Sequence, residues 1–139
     1  MSARDLYKTM GSSMRMGTEI LQNTFDPLDP HFVGQYTVDY WGYELKRYLK
    51  QRDEMGPDVR LLEIDYSRSV SDGLSVAREL YELAGLPWTP EGEAAMRQWD
   101  IDNPRHKLGS YGYQLEDYGW SEDKISEAFG PVAEEWRGR

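Results

Sequence analysis

No cysteine occurs anywhere in the chain. That excludes disulfides, thiolate metal sites and a cysteine nucleophile, and it suits a reducing compartment. Histidine is nearly absent too: His31 and His106 lie far apart and form no zinc-binding spacing, so no metal site is expected. No apolar run approaches the length of a membrane-crossing helix, and Met1-Ser-Ala-Arg-Asp5 is not followed by the apolar region of a secretion signal. A cytoplasmic protein with no membrane association is expected. Positive charge is in the minority, 16 Lys and Arg against 25 Asp and Glu, for a net charge of −9. Such a chain opposes nucleic acid and anionic surfaces, and an anionic small ligand would need a local basic pocket.

What is present points to an ordinary globular chain. Its 139 residues, 39% of them hydrophobic, suffice for one domain spanning 1–139 with a moderate core. Most of the periodicity is helical. Leu6, Met10, Met14, Gly17, Ile20 and Leu21 describe one apolar stripe over 5–23, which Gly11 and Gly17 weaken as a helix. Pro27 and Pro30 make the next segment a connection. Val33, Tyr36, Tyr40, Leu45 and Tyr48 then repeat at helical spacing to about Glu54, where Gly56-Pro57 stops the helix. Aromatic residues at such spacing could form a ligand platform, but their large apolar area favours a place in the core.

Arg60-Leu-Leu-Glu-Ile-Asp-Tyr66 is the one clear strand signal. A lone strand cannot satisfy its own backbone, so 60–66 is expected to pair with a second copy or with a sheet from a larger protein. A helix follows over 72–85, with Gly85 as its C-cap and Pro87 beyond. Thr89-Pro90 reads as N-cap and first helical position of the next helix, with Glu91 and Glu93 favouring its dipole. Ser121 caps a last helix carrying Ile125, Phe129, Val132 and Trp136, which Gly130-Pro131 should break or restart. The expectation is a mainly α chain of about five helices around one strand near 60–66.

Between the last two helices lies the chemically densest stretch, Asp102 to Trp120. Arg105, His106 and Lys107 bring cationic character, and Gly109, Gly112 and Gly119 allow backbone amides to converge on an anion. The same composition also describes any surface connection.

The order Tyr66, helix, Gly85-Leu-Pro-Trp88, Thr89-Pro-Glu91, a helix ending near Trp99, Asn103-Pro-Arg105, Gly109, Tyr113 and Leu115-Glu-Asp-Tyr-Gly119 resembles the C-terminal half of bacterial sulfotransferases. The resemblance covers 58–137, with Arg4-Asp5 and Ser12 matching an earlier element. It implies the C-terminal part of a three-layer α/β P-loop fold and a sulfuryl donor, 3′-phosphoadenosine 5′-phosphosulfate (PAPS). By resemblance Arg4 and Ser12 hold the 3′-phosphate of PAPS or of its product adenosine 3′,5′-bisphosphate (PAP). Tyr66 sits against the adenine, and Arg105, Lys107 and Gly109 close over the phosphate. The physics is consistent with this, since guanidinium and hydroxyl groups suit phosphate oxygens. Tyr66 on its own reads equally well as a core tyrosine at a strand end.

The sequence departs from the family pattern in several places. Leu6 stands where proline usually follows Arg-Asp, and Ser67-Arg68 replaces Glu-Asp. His106, Leu108 and Ser110-Tyr-Gly112 replace a glycine, a histidine and a basic trio. No glycine-rich phosphosulfate loop with Lys and Ser/Thr is present, and neither histidine is assigned as a base, so no catalytic residue is named. Two readings stay open: a C-terminal sulfotransferase fragment that needs a missing N-terminal half, which would also pair the 60–66 strand, or a non-catalytic helical module of interaction or assembly derived from one.

Overall fold

Residues 2–3, 5–104 and 112–137 are described by the computed structural model, with side chains over 5–104 and 112–134. The elements run β1 (Ser2–Ala3), α1 (Leu6–Leu21), α2 (Pro30–Asp53), β2 (Ile64–Asp65), α3 (Tyr66–Ser71), α4 (Gly73–Ala84), α5 (Pro90–Asp102), α6 (Glu122–Phe129) and α7 (Pro131–Arg137). A 3-10 turn, Leu115–Tyr118, precedes α6. The mainly helical class is as expected. The count rises to seven helices among the described residues because the Ser-rich segment after the strand folds as α3, and Gly130 and Pro131 divide the last helix into α6 and α7. Among the described residues no helix is long and apolar enough to cross a membrane.

Contacts group the chain into two compact units. One comprises Arg4–Asp58 and Gly112–Arg139. Its first helix starts where the Asp5 carboxylate accepts the Lys8 N–H at 3.0 Å, satisfying a donor that the helix itself leaves orphaned. Leu6, Met10 and Met14 then fall on one buried face, as their spacing predicts. Asp29 caps α2 by accepting the His31 N–H at 2.9 Å, with Pro30 in the first turn. Ile125, Phe129 and Ala133 continue one stripe across the α6–α7 break and are all buried.

The face that α2 buries is only in part the one expected: Val33 and Leu45 are on it, Tyr36 and Tyr40 are not. Val33, Thr37, Val38, Leu45 and Leu49 are inside, whereas Phe32, Tyr36 and Tyr40 are 56%, 58% and 48% exposed. These three rings stack on one another at 6.3 Å between successive centroids. The helix carries two overlapping apolar stripes, and the aliphatic one wins because it holds Gly34. A Cβ on Gly34 would lie 2.8 Å from Trp120 Cδ1 and 3.0 Å from Tyr118 Cβ, so glycine here lets the backbone of 118–120 settle directly on the helix. The buried Thr37 hydroxyl is satisfied by donating to the Val33 carbonyl at 2.7 Å.

The second unit comprises Met1–Ala3 and Val59–Tyr111. Here the strand expected over 60–66 contracts to Ile64–Asp65. It runs parallel to Ser2–Ala3, a partner that the sequence reading did not identify. Tyr66 is not a strand residue but the first residue of α3. The cause is Asp65, whose carboxylate accepts the backbone N–H groups of Ser67 at 2.7 Å and Arg68 at 3.4 Å and so caps a helix where the strand would have continued. Gly85 ends α4 in the left-handed conformation at φ 69°, with Leu86 N–H donating to the Tyr81 carbonyl at 2.8 Å. Thr89 caps α5 through the Gly92 N–H at 3.1 Å.

Glu93 ties α4 to α5. Its carboxylate accepts from Trp88 Nε1 at 2.8 Å, Arg97 Nη2 at 2.6 Å and Arg78 Nη2 at 2.8 Å. The Trp88 hydrogen bond first, then Arg97, lowers its pKa from 4.5 to about 2. A carboxyl whose pKa falls on folding contributes stability above its unfolded value, and that contribution is lost as pH drops from 4.5 toward about 2. Acid titration followed by tryptophan fluorescence is therefore expected to show a destabilising slope in this window. Glu93→Gln should flatten that slope and, above the window, lower stability by an amount that does not change with pH.

Candidate functional site

Of the six residues implied by the resemblance, Ser12 and Tyr66 lie among the described residues; Arg4, Arg105, Lys107 and Gly109 lie outside them. Ser12 belongs to the unit built on α1 and α2, Tyr66 to the unit built on β2 and α3.

Ser12 sits on α1, half-buried, beside the buried Leu6, Met10 and Met14 stripe. Its hydroxyl makes no hydrogen bond to another described residue and is not sealed from solvent. The next feature is one that sequence reasoning missed. Gly11, immediately before Ser12, receives the side chain of Tyr113: an added Cβ would fall within that ring, 2.9 Å from Cζ and closer still to its edge carbons. From this notch the Tyr113 hydroxyl donates to the Lys8 carbonyl at 3.1 Å. Gly11 therefore does more than weaken a helix. It seats the residue that follows the dense loop, and a glycine on the apolar side of a helical stripe was the only signal of it.

The rest of 112–124 is fixed by contacts of the same kind. Leu115 and Tyr118 are buried, and Tyr118 Oη lies 3.4 Å from the Thr18 hydroxyl oxygen. Gly119 turns the chain at φ 76°, and its carbonyl accepts from Lys124 Nζ at 2.9 Å. Ser121 caps α6 through the Lys124 N–H at 3.3 Å, and Tyr7 Oη and Ser126 Oγ share a 2.6 Å hydrogen bond. His31, Gln35, Tyr118, Gly119, Trp120 and Lys124 line an open cleft of about 290 Å³. His31 is exposed at the start of α2 with its ring against Gly119, a place that marks it as a packing neighbour of the turn.

Tyr66 is half-buried at the head of α3. Two neighbours that depart from the family pattern have found structural work. Ser67 donates its hydroxyl and its N–H to Asp65, and the hydroxyl first, then the N–H, holds that carboxyl below its ordinary range. Arg68 forks onto both carboxylate oxygens of Glu79, bracing α3 against α4. That bond raises the arginine pKa and lowers that of the glutamate. Gly73, Leu74, Ala77, Met96, Trp99 and Asp100 enclose a groove of about 230 Å³ between α4 and α5. Among the described residues no group of three or more His, Asp and Glu could hold a metal ion.

The pattern of the sulfotransferase family matches residues 1–90, a span that includes both Ser12 and Tyr66. The crystal structure of sulfotransferase STF9 from Mycobacterium avium superposes with a TM-score of 0.79 at 28% sequence identity. The match covers 95% of this chain and 34% of that one, so the chain spans about a third of the length of that protein and corresponds to part of its fold. A search of curated proteins returns no match. With a family match over well more than half its length and a structural match over nearly all of it, the chain belongs to the sulfotransferase family.

Proposed function

We propose that this chain carries the 3′-phosphate side of a PAPS-binding site and acts in the transfer of a sulfuryl group to a hydroxyl or amine acceptor. When bound, PAPS supplies the activated sulfuryl group. By the family pattern alone, the residues that would hold its nucleotide are Arg4, Ser12, Tyr66, Arg105, Lys107 and Gly109. The observation that carries the reading is Ser12: within the segment that matches the family, a half-buried hydroxyl stands on α1 with no acceptor among the described residues. A phosphate monoester fits that donor. Tyr66 fits the adenine as a half-buried aromatic ring at the head of a helix. The sequence contains no phosphosulfate loop, so turnover calls for a component outside these residues, on the same polypeptide or another, that provides one along with a base. In its fold that component would add to the parallel pair β1–β2, whose strands already run in the sense such a sheet requires.

Calorimetry with PAP tests the reading. Binding is expected, and Ser12→Ala should weaken it roughly ten- to a hundredfold, the loss expected for one hydrogen bond to a charged group. Absence of heat at millimolar nucleotide would overturn the proposal.

A second reading is favoured by one observation, the exposed stack of Phe32, Tyr36 and Tyr40. Such a row suits a chain that acts as a helical interaction or assembly module. Sedimentation of the wild type and of Tyr36→Ser separates the two: self-association lost in the variant supports the module, and a concentration-independent monomer speaks against self-assembly.

A further inference from the structure

We infer that Tyr113 is a positioning residue that keeps the Ser12 hydroxyl available to a phosphate ligand. The inference rests on the reading of Ser12 given above.

A hydroxyl inside a helix has a ready acceptor one turn back, the carbonyl four residues earlier, and tends to fold onto it. The threonines of α1 and α2 show this. Thr9 donates to the Asp5 carbonyl at 2.8 Å, Thr18 to that of Met14 at 3.0 Å and Thr37 to that of Val33 at 2.7 Å. Ser12 does not, and the carbonyl it would use belongs to Lys8. A carbonyl oxygen has two lone pairs. Helical geometry assigns one at Lys8 to the Ser12 N–H. The other receives the Tyr113 hydroxyl at 3.1 Å. With both taken, the Ser12 hydroxyl loses the acceptor four residues back and is left free to turn outward.

Gly11 makes this arrangement feasible. The ring of Tyr113 reaches Lys8 only by lying flat in the space where a Cβ at position 11 would stand. A tyrosine is also suited to the task by its shape: it supplies a rigid lever that anchors through its ring and delivers one hydroxyl at the far end. The ligand chemistry that follows is an acceptor-only dianion, a phosphate monoester, because an outward serine hydroxyl with no internal acceptor gains most from donating its proton to charged oxygen.

Tyr113→Phe keeps the ring in the notch and removes only the hydroxyl. Binding of PAP to the wild type, Tyr113→Phe, Ser12→Ala and the double variant, measured by calorimetry, forms a double-mutant cycle. Tyr113→Phe is expected to weaken binding about three- to tenfold, within the reach of one redirected hydrogen bond. It should have no further effect in the Ser12→Ala background, and melting temperatures should stay close to that of the wild type. If Ser12→Ala weakens binding but Tyr113→Phe does not, or if Tyr113→Phe weakens it equally in both backgrounds, the positioning role is overturned while the donor-site reading stands. If Ser12→Ala binds like the wild type, the donor-site reading of Ser12 fails. High-resolution crystal structures decide the role of Tyr113 independently of any nucleotide. Ser12 Oγ should point away from the Lys8 carbonyl in the wild type and onto it in Tyr113→Phe; a wild-type serine already bonded to Lys8 would overturn the inference.

Discussion

Replacing Gly34 by alanine is expected to destabilise the chain by roughly 2–3 kcal/mol, whereas the same replacement eight residues further along α2, at Gly42, should stabilise it by up to about 1 kcal/mol. Both glycines lie inside one helix, so both gain the same helix propensity and the same reduction of unfolded-state freedom from a methyl group. They differ in what that methyl group meets. At Gly42 there is nothing within 4 Å. At Gly34 it meets the Tyr118 carbonyl oxygen, with Trp120 Cδ1 at 2.8 Å and Tyr118 Cβ at 3.0 Å. A flexible side chain could swing aside, but a backbone carbonyl held between buried Leu115 and the Gly119 turn cannot move without dragging the whole 115–120 segment off the helix. Urea unfolding of the two variants checks the sign as well as the size. Equal shifts in both would mean that the close approach at Gly34 carries no energetic weight.

Gly34 also marks where the sequence stopped being legible. Caps were readable because they are local chemistry: Thr89 before Pro90, Gly85 after α4 and Ser121 before α6 each act within four residues. The strand at 60–66 was readable only as a region. Asp65, which converts its end into a helix cap, is acceptable in a strand and decisive only once Ser67 and Arg68 turn their N–H groups toward it. The expectation for Tyr36 and Tyr40, which are exposed, went further astray. Helical spacing says which residues share a face, not which of two overlapping faces meets the core, and that choice is made by a segment some 80 residues away in sequence that lands on Gly34.

The candidate site divides in the same way. Family resemblance could single out Ser12 and Tyr66 as candidates, because a motif keeps residue type and order together. It could not supply the contact between Tyr113 and Lys8, which joins positions 105 residues apart and depends on a glycine that local propensity counts as a defect. Gly11 and Gly34 break a helical rule at the two places where the 112–120 segment docks, and conflicts of that kind are where tertiary packing overrides local preference.

That docking needs a firm floor, and Phe129→Ala is the substitution expected to weaken it most, by about 3–4 kcal/mol. Phe129 is the largest fully buried side chain among the described residues, and it closes α6 just before Gly130 turns the chain at φ 53°. The volume of the cavity left behind sets the cost, and it depends on how far the surroundings can collapse. Two considerations pull in opposite directions. Met10 and Met14, both fully buried in the same unit, are flexible enough to fill part of a void. Ile125 and Ala133, one turn to either side in sequence, are short or branched and cannot extend. Partial filling places the cost in the lower half of the range for a buried phenylalanine, and Phe129→Leu, which removes less volume, should cost about 1 kcal/mol. Since whole domains are stable by about 5–15 kcal/mol, the alanine variant should lose a large fraction of its folding free energy, while Ser12→Ala stays near the wild type. A urea midpoint for Phe129→Ala within experimental error of the Ser12→Ala value would show that the α6–α7 stripe is not part of the cooperative core.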